Sequence, residues 1–216
     1  MDKKLVIIGA SGHGKVVADI AEKNGYEDII FLDDNKEIYE CNNYPIVGTC
    51  RDIQYFREFD FIIAIGNSLV RKRITEHLEK VNVNIVTLIH PNSVIAGNVK
   101  IGDGTVVMAG TVINSCTQIG KGCIINTCSS VDHDCTIGEF SHVSVGTHIA
   151  GNVFIGNNTW IGIGATVSNN VKITNDCTIG AGAVVIDNLE EPDIYIGIPA
   201  KKMSLKDKIN NEAIKK

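Results

Sequence analysis

The sequence has little proline, few aromatics, no long apolar run and no basic block, and each shortage removes a class of protein. Pro numbers 4, and Phe, Tyr and Trp together make up 6% of the 216 residues, so neither a proline-rich extended chain nor a large aromatic core can be built. No apolar stretch approaches the roughly 18 residues that span a bilayer. Met1-Asp2-Lys3-Lys4 runs directly into a strand-like stretch from Leu5 to Ile8, too brief for the core of a signal peptide. Net charge is −5 with no cluster of Lys and Arg, so the electrostatic footprint of a nucleic-acid-binding protein is missing. The 7 cysteines, Cys41, Cys50, Cys116, Cys123, Cys128, Cys135 and Cys177, are odd in number and contain no CxxC pair. They read as reduced, buried small residues of a cytoplasmic protein.

Glycine, by contrast, is plentiful at 21 residues, and the second half of the chain has a period. From Ile95 an Ile or Val recurs at every sixth position: Ile95, Ile101, Val107, Ile113, Ile119, Ile125, Val131, Ile137, Val143, Ile149, Ile155, Ile161, Val167, Ile173, Ile179 and Val185. Four residues after most of these comes a small one, such as Thr105, Thr117, Cys123, Ser129, Ser141 or Ala165, with Val at Val99, Val153 and Val171. A helix needs a spacing near 3.6 and a lone strand needs 2, whereas six is the period of a hexapeptide β-helix. Three hexapeptides make a triangular coil of about 18 residues whose inward aliphatics stack in columns. The small residues suit its tight corners, and Gly102-Asp103-Gly104, Gly156-Asn157-Asn158 and Asn169-Asn170 suit turns that visit positive φ.

The first half reads as an α/β unit. The apolar run Leu5 to Ile8 passes through Gly9-Ala10-Ser11-Gly12-His13-Gly14 into a helix-like segment, Lys15 to Asn24, so backbone N–H groups and a helix N-terminus are presented to an anion such as phosphate. A second strand, Ile29 to Leu32, ends in Asp33-Asp34, and a third, Phe61 to Ile65, ends in Gly66-Asn67. All three ends gather on one edge of a parallel sheet, where such sheets bind ligands. Asp33 and Asp34 could accept ribose hydroxyls or cap a loop. Helix-like Leu69 to Lys80 and strand-like Val83 to Leu88 complete a domain over residues 1–89, and Pro91 marks the handover to a β-helix over 90–203. Residues 204–216 read as a solvated helix or frayed tail.

The chemistry concentrates in Asp132-His133-Asp134-Cys135 and Ser141-His142-Val143. Both imidazoles flank inward valines and so project outward. An imidazole with a carboxylate on its second nitrogen is suited to general-base work near neutral pH, and either Asp134 or Asp132 could be that partner. His77 and His148 read as solvated bystanders. The three His and two Asp in this span sit on different faces of a coil and do not converge on one metal ion.

The run Asp132-His-Asp-Cys135 followed by Gly138-Glu-Phe-Ser-His-Val-Ser-Val-Gly146, with Gly9-Ala-Ser-Gly-His-Gly14, Phe31-Leu-Asp-Asp34 and Ala64-Ile-Gly-Asn67, closely resembles the bacterial nucleotide-sugar N-acetyltransferases of the bacillosamine type, members of the hexapeptide-repeat acyltransferase superfamily. The sialic acid O-acetyltransferase group is a cousin. The match runs from Lys4 to about Met203. The resemblance implies a small Rossmann-like domain followed by a left-handed parallel β-helix, assembled as a homotrimer with active sites between subunits. It implies transfer of acetyl from acetyl-CoA to the 4-amino group of a UDP-linked amino-dideoxy sugar, with O-acetylation of a sugar hydroxyl as the alternative. A catalytically silent nucleotide-sugar-binding scaffold is the reading from another class.

By the same resemblance His133 is the base and the acidic residue after it, here Asp134 where relatives often carry Glu, raises its basicity. Asn126 helps to position the reacting groups. His142, Ile163, Gly180 and Ala181 contact acetyl-CoA, Ala181 standing where Gly is common, and Ile196-Gly-Ile-Pro-Ala-Lys201 is the terminal motif near the CoA adenine. Ser11, Gly12, His13, Asp33, Asp34 and Gly66 hold the UDP-sugar.

Overall fold

Leu5-Val6-Ile7-Ile8 is apolar on both faces, which suits only a strand covered on both sides. In the computed structural model, which describes residues 3–204, it lies fully buried within β1 (Lys3–Ile8). The chain continues through α1 (Gly12–Lys23), β2 (Tyr26–Leu32), β3 (Glu40–Cys41), β4 (Tyr44–Gly48), β5 (Asp60–Ile63), α2 (Ser68–Val81) and β6 (Asn84–Ile85). The sheet order is β3-β4-β2-β1-β5-β6, parallel throughout except for the β3–β4 hairpin. That hairpin is an addition to the sequence reading; its turn is Asn42-Asn43, both at positive φ, as a two-residue hairpin requires. Helix α2 starts at Asn67, whose side chain accepts the Val70 N–H at 3.0 Å, and ends at left-handed Asn82.

Beyond β6 the chain winds into a left-handed parallel β-helix. Its first rung is Leu88–Ile89, which pairs with Val106–Val107, so the aliphatic period already operates one step before Ile95. From Leu88–Ile89 to Thr166–Val167 each two-residue strand pairs with the one a full coil later. The first face runs through Val106, Ile124, His142, Trp160 and Thr178; the second through Val112, Ser130, His148 and Thr166; the third through Gln118, Thr136, Phe154 and Lys172. The residue after each of these points inward, and those aliphatics form one continuous core.

Two local rules hold the prism together. At each corner from Gly104 to Gly182 the third residue after the inward aliphatic has positive φ, whether Gly, Asn, Asp or, unusually, Cys116, Cys128 and Phe140. The small residue that follows does more than fit. Thr105 Oγ1 donates to Gly120 O at 2.9 Å and accepts from Cys123 N at 3.1 Å, and Thr117 and Ser141 repeat both bonds. A buried polar ladder is thus satisfied internally, as buried polar groups must be.

The front domain sits on the first face. Leu88, Val106 and Ile124, outward on that face, are buried in one cluster with Ile7, Val17, Ile20 and Phe31, which joins the domains through shared apolar burial. The chain leaves the prism by Ile194–Ile196, which pairs with Thr178–Ile179 and then, antiparallel, with Lys201–Lys202. Apart from Ser204, the tail read as a solvated helix lies outside the described residues. No helix among the described residues is long and apolar enough to cross a membrane.

Because each inward aliphatic is locked between neighbours one coil away, Ile137→Ala is expected to destabilise the protein by about 2–5 kcal/mol. Exposed Gln118→Ala should stay within about 0.5 kcal/mol. Guanidinium unfolding of the two variants checks the contrast.

Candidate active site

The carboxyl ends of β1, β2 and β5 open onto a cleft of about 480 Å³ lined by Ile8, Gly9, Leu32, Asp33, Asp34 and Cys50, with Val70, Arg73, Ile74, His77 and Lys80 from α2. Gly9, at φ +108, could carry no side chain: a Cβ there would lie 2.8 Å from Ala64 O. Gly14 lets α1 start against the turn, since its Cβ would meet Gly9 O at 2.3 Å. The two aspartates differ. Asp33 Oδ2 accepts Ala10 N–H at 2.7 Å and so braces the glycine turn, while Oδ1 accepts Asn35 N–H at 2.8 Å within its own loop. Asp34 accepts Cys50 N–H at 3.1 Å through one oxygen. His77, set aside in the sequence as a bystander, lines this cleft, as do Arg73 and Lys80.

Where the front domain meets the first face, Arg71 is 1% exposed and donates only to carbonyls. Nη1 reaches Ile65 O at 2.8 Å and Gly66 O at 2.9 Å in the front domain, while Nε reaches Gly122 O at 2.6 Å and Nη2 Phe140 O at 2.7 Å on the prism. Burial lowers its pKa to about 10, which leaves it charged at neutral pH. Two imidazoles feel that charge. His13 is pushed down to about 4, first by burial and then by Arg71, and its buried Nε2 has no hydrogen-bond partner. His142 is pushed down to about 3 by burial, Arg71 and His13.

His142 is held in one tautomer. Asn126 Oδ1 accepts Thr127 N–H at 2.8 Å, which turns its Nδ2 toward His142 Nε2 at 3.1 Å, so that nitrogen accepts and Nδ1 carries the proton. The ring stacks on Trp160, centroids 5.9 Å apart and planes 8° apart, and Trp160 Nε1 donates to Ser144 Oγ at 2.5 Å. Together with Gly66, Asn67, Ser68, Phe140, Asn158 and Thr178 these rings line a second cavity of about 400 Å³, into which Trp160 is half exposed. Ile163, Gly180 and Ala181 lie on the corner that follows this same face, stacked through Gly182 N–H to Ile163 O at 2.8 Å. Trp160 escaped the sequence reading, although it stands one coil after His142 in the same outward column.

His133 is elsewhere. It lies on the corner between the second and third faces, across the prism from the first face that carries His142. Its Nδ1 is 2.7 Å from Asp134 Oδ2. A carboxylate only accepts, so Nδ1 carries the proton and Nε2 keeps its lone pair. Asp132, the other candidate partner, is instead occupied by His133 N–H at 2.8 Å and Asn114 Nδ2 at 2.8 Å. The His133 pKa is raised above 6.5, chiefly by the Asp134 bond and then by Asp132.

Comparison with known proteins fits this layout. Residues 4–78 match the family described as the PglD N-terminal domain, and residues 86–115 and 152–187 match the bacterial transferase hexapeptide repeat. The UDP-N-acetylbacillosamine N-acetyltransferase of Bacillus subtilis (strain 168) is 32% identical over 112 residues, 50% of this chain and 52% of that protein. The GDP-perosamine N-acetyltransferase of Escherichia coli O157:H7 is 29% identical over 109 residues, 47% of this chain and 49% of that protein. These matches span about half the length of those curated relatives. Among solved structures, the acetyltransferase domain of PglB from Neisseria gonorrhoeae FA1090, solved also with acetyl coenzyme A, is 37% identical over 94% of this chain and 100% of its own, with a TM-score of 0.90. PerB from Caulobacter crescentus, in complex with CoA and GDP-perosamine, is 34% identical over 93% of this chain and 97% of its own, with a TM-score of 0.89.

Arg71→Met would strip four carbonyls of a donor, at about 1–3 kcal/mol for each acceptor left unpaired, and is expected to lower the denaturant midpoint markedly. Arg71→Lys, which keeps the charge with fewer donors, should fall between. In the folded Met variant the His142 pKa should rise from about 3 because one of its causes is gone, which an NMR titration would read.

Proposed function

The chain belongs to the hexapeptide-repeat acetyltransferases that carry a PglD N-terminal domain, and on that premise we propose that it moves acetyl from acetyl-CoA to the 4-amino group of a UDP-linked amino-dideoxy sugar. The observation that carries the reading is the His133–Asp134 pair: an exposed imidazole with Nδ1 on a carboxylate at 2.7 Å and Nε2 left to take a proton. The likeness to proteins named as acting on, or solved with, UDP-N-acetylbacillosamine, GDP-perosamine and acetyl-CoA supports the substrate class.

The reaction is direct transfer. The sugar amine attacks the thioester carbonyl while His133 Nε2 removes its proton; Asp134 stabilises the imidazolium that results. Collapse of the tetrahedral intermediate breaks the C–S bond, and the imidazolium returns the proton to the departing sulfur. The products are the amide and CoA. The nucleotide lies in the front cleft against Asp34 and reaches along the glycine turn to Ser11, Gly12 and His13 and to Gly66, while Asp33 holds the turn. The acetyl donor runs along the first-face corner past His142, Ile163, Gly180 and Ala181.

One chain does not supply this whole site. His133 and His142 are nine positions apart, half of an 18-residue coil, and so face opposite sides of the prism. They meet on one acetyl group only if one subunit's His133 approaches the first face of the next. A homotrimer in the cytoplasm is the assembly proposed.

Substituting His133 by Ala should cut kcat by about 10²–10⁴ while acetyl-CoA binding persists, and a rate equal to that of the unmodified enzyme would remove the assignment. The base works only when neutral, so kcat/KM should rise with pH through a midpoint above 6.5, set by His133; His13 and His142 stay neutral across this range because their values lie near 4 and 3. Asp134→Asn removes the largest cause of the upward shift, so its midpoint should move to lower pH with a smaller plateau. Comparing the two profiles cancels the ionisation of the acceptor amine. The labelled acetyl product should survive mild alkali, as an amide does; loss of label would instead signal an ester and O-acetylation.

A further inference from the structure

The corner that carries His133 is one column of stacked turns: Ser115, His133, Gly151 and Asn169 occupy the same place in successive coils. Their backbones are tied by Asp134 N–H to Ser115 O at 3.0 Å, Asn152 N–H to His133 O at 2.9 Å and Asn170 N–H to Gly151 O at 3.1 Å. Gly97, one coil before Ser115, and Gly151 are the members of this column without a side chain; a Cβ on Gly97 would meet nothing within 4 Å, whereas Gly151 lies beneath the imidazole. A Cβ built on Gly151 would lie 2.6 Å from His133 Nε2, 2.7 Å from Cε1 and 3.2 Å from Cδ2, well inside contact distance. The ring therefore lies on the bare Cα of Gly151, with the nitrogen proposed as the base closest to it.

No backbone requirement explains this glycine. Gly151 is not among the described residues with positive φ, so an L-residue can adopt its conformation. Gly138 and Gly156 are different, because a Cβ on either would strike backbone nitrogen of the next coil at 2.6 Å and 2.4 Å. At Gly151 the obstacle is the movable ring of His133.

We propose that Gly151 is a positioning residue for His133: its missing side chain lets the imidazole lie flat on the turn, where Nδ1 reaches Asp134 and Nε2 faces the incoming amine. The proposal rests on the reading of His133 as general base. A methyl group at this position pushes the ring off the turn and away from Asp134 without straining the backbone.

The test uses the full-length enzyme carrying Gly151→Ala, His133→Ala or both, with Gly151→Ser as a second probe of the same contact. Gly151→Ala is expected to lower kcat by on the order of 10²-fold, the cost of misplacing a reacting group by about an ångström. KM for both substrates should stay within about threefold, since neither binding surface changes. The pH midpoint of kcat/KM should fall, because the ring loses Asp134. In the His133→Ala background the same substitution should cost nothing further, as two residues acting through one interaction are non-additive. Should Gly151→Ala also lower the melting temperature, the double variant should recover it, because the clash is gone.

A Gly151→Ala enzyme with the kcat and pH midpoint of the unmodified enzyme would overturn the proposal. So would a loss of the same factor in both backgrounds, which would assign the effect to the backbone. If His133→Ala alone keeps full rate, the general-base reading falls and takes this inference with it. If His133→Ala is inactive and Gly151→Ala is not, only this inference falls.

Discussion

Stacking each residue on the one 18 positions later is the constraint from which the rest of this protein follows. It is visible as Asn152 bonding Asn170, Asn114 bonding Asp132 and Asn158 bonding Asp176, all between coils. Once an aliphatic is committed to the interior, its column, its two neighbours and the direction of every intervening side chain are committed too. Function is therefore written in columns. Leu88, Val106 and Ile124 make the first face apolar where the front domain covers it, and His142 and Trp160 continue the same column where that cover ends.

The seam between domains adds a fixed positive charge. Arg71 meets only carbonyls, and a buried guanidinium without a carboxylate is costly to desolvate. Its geometry joins the Ile65–Gly66 strand end to Phe140, two residues before His142. Burial first, and then its field, set one site imidazole apart from the other. His142, near Arg71 and largely out of water, is driven far below the ordinary histidine value, while His133, beside two aspartates in the open, is driven above it. One stays neutral through the physiological range and the other is raised above the ordinary histidine value, which suits a positioning group and a base respectively.

Much of this could be read from the residues because the period left little freedom. The sixfold aliphatics named the inward positions, and outward projection of His133 and His142 followed at once. That they face opposite ways was equally present in their nine-residue spacing, and Trp160 in its distance of one coil from His142. The small corner residues were legible as small, but their role as donors and acceptors was not, because a hydroxyl ladder depends on which carbonyl lies one coil away. Arg71 was hidden because an Arg in the amphipathic pattern of Ser68–Val81 looks like a solvated side chain, and only the docked prism makes it internal. The β3–β4 hairpin hid behind Pro45, which demotes a strand in a sequence pattern, although Asn42-Asn43 carried the turn signal.

The central claim is that a working site joins His133 from one chain to the His142 face of another. Complementation tests it most directly: His133→Ala and His142→Ala subunits, each impaired alone, are unfolded together, refolded as a mixture and assayed for acetyl transfer. Recovered activity is expected, because mixed assemblies contain interfaces at which an intact His133 meets an intact His142. Mixtures no more active than the average of the two separate variants would contradict it, since both residues would then have to serve from one chain.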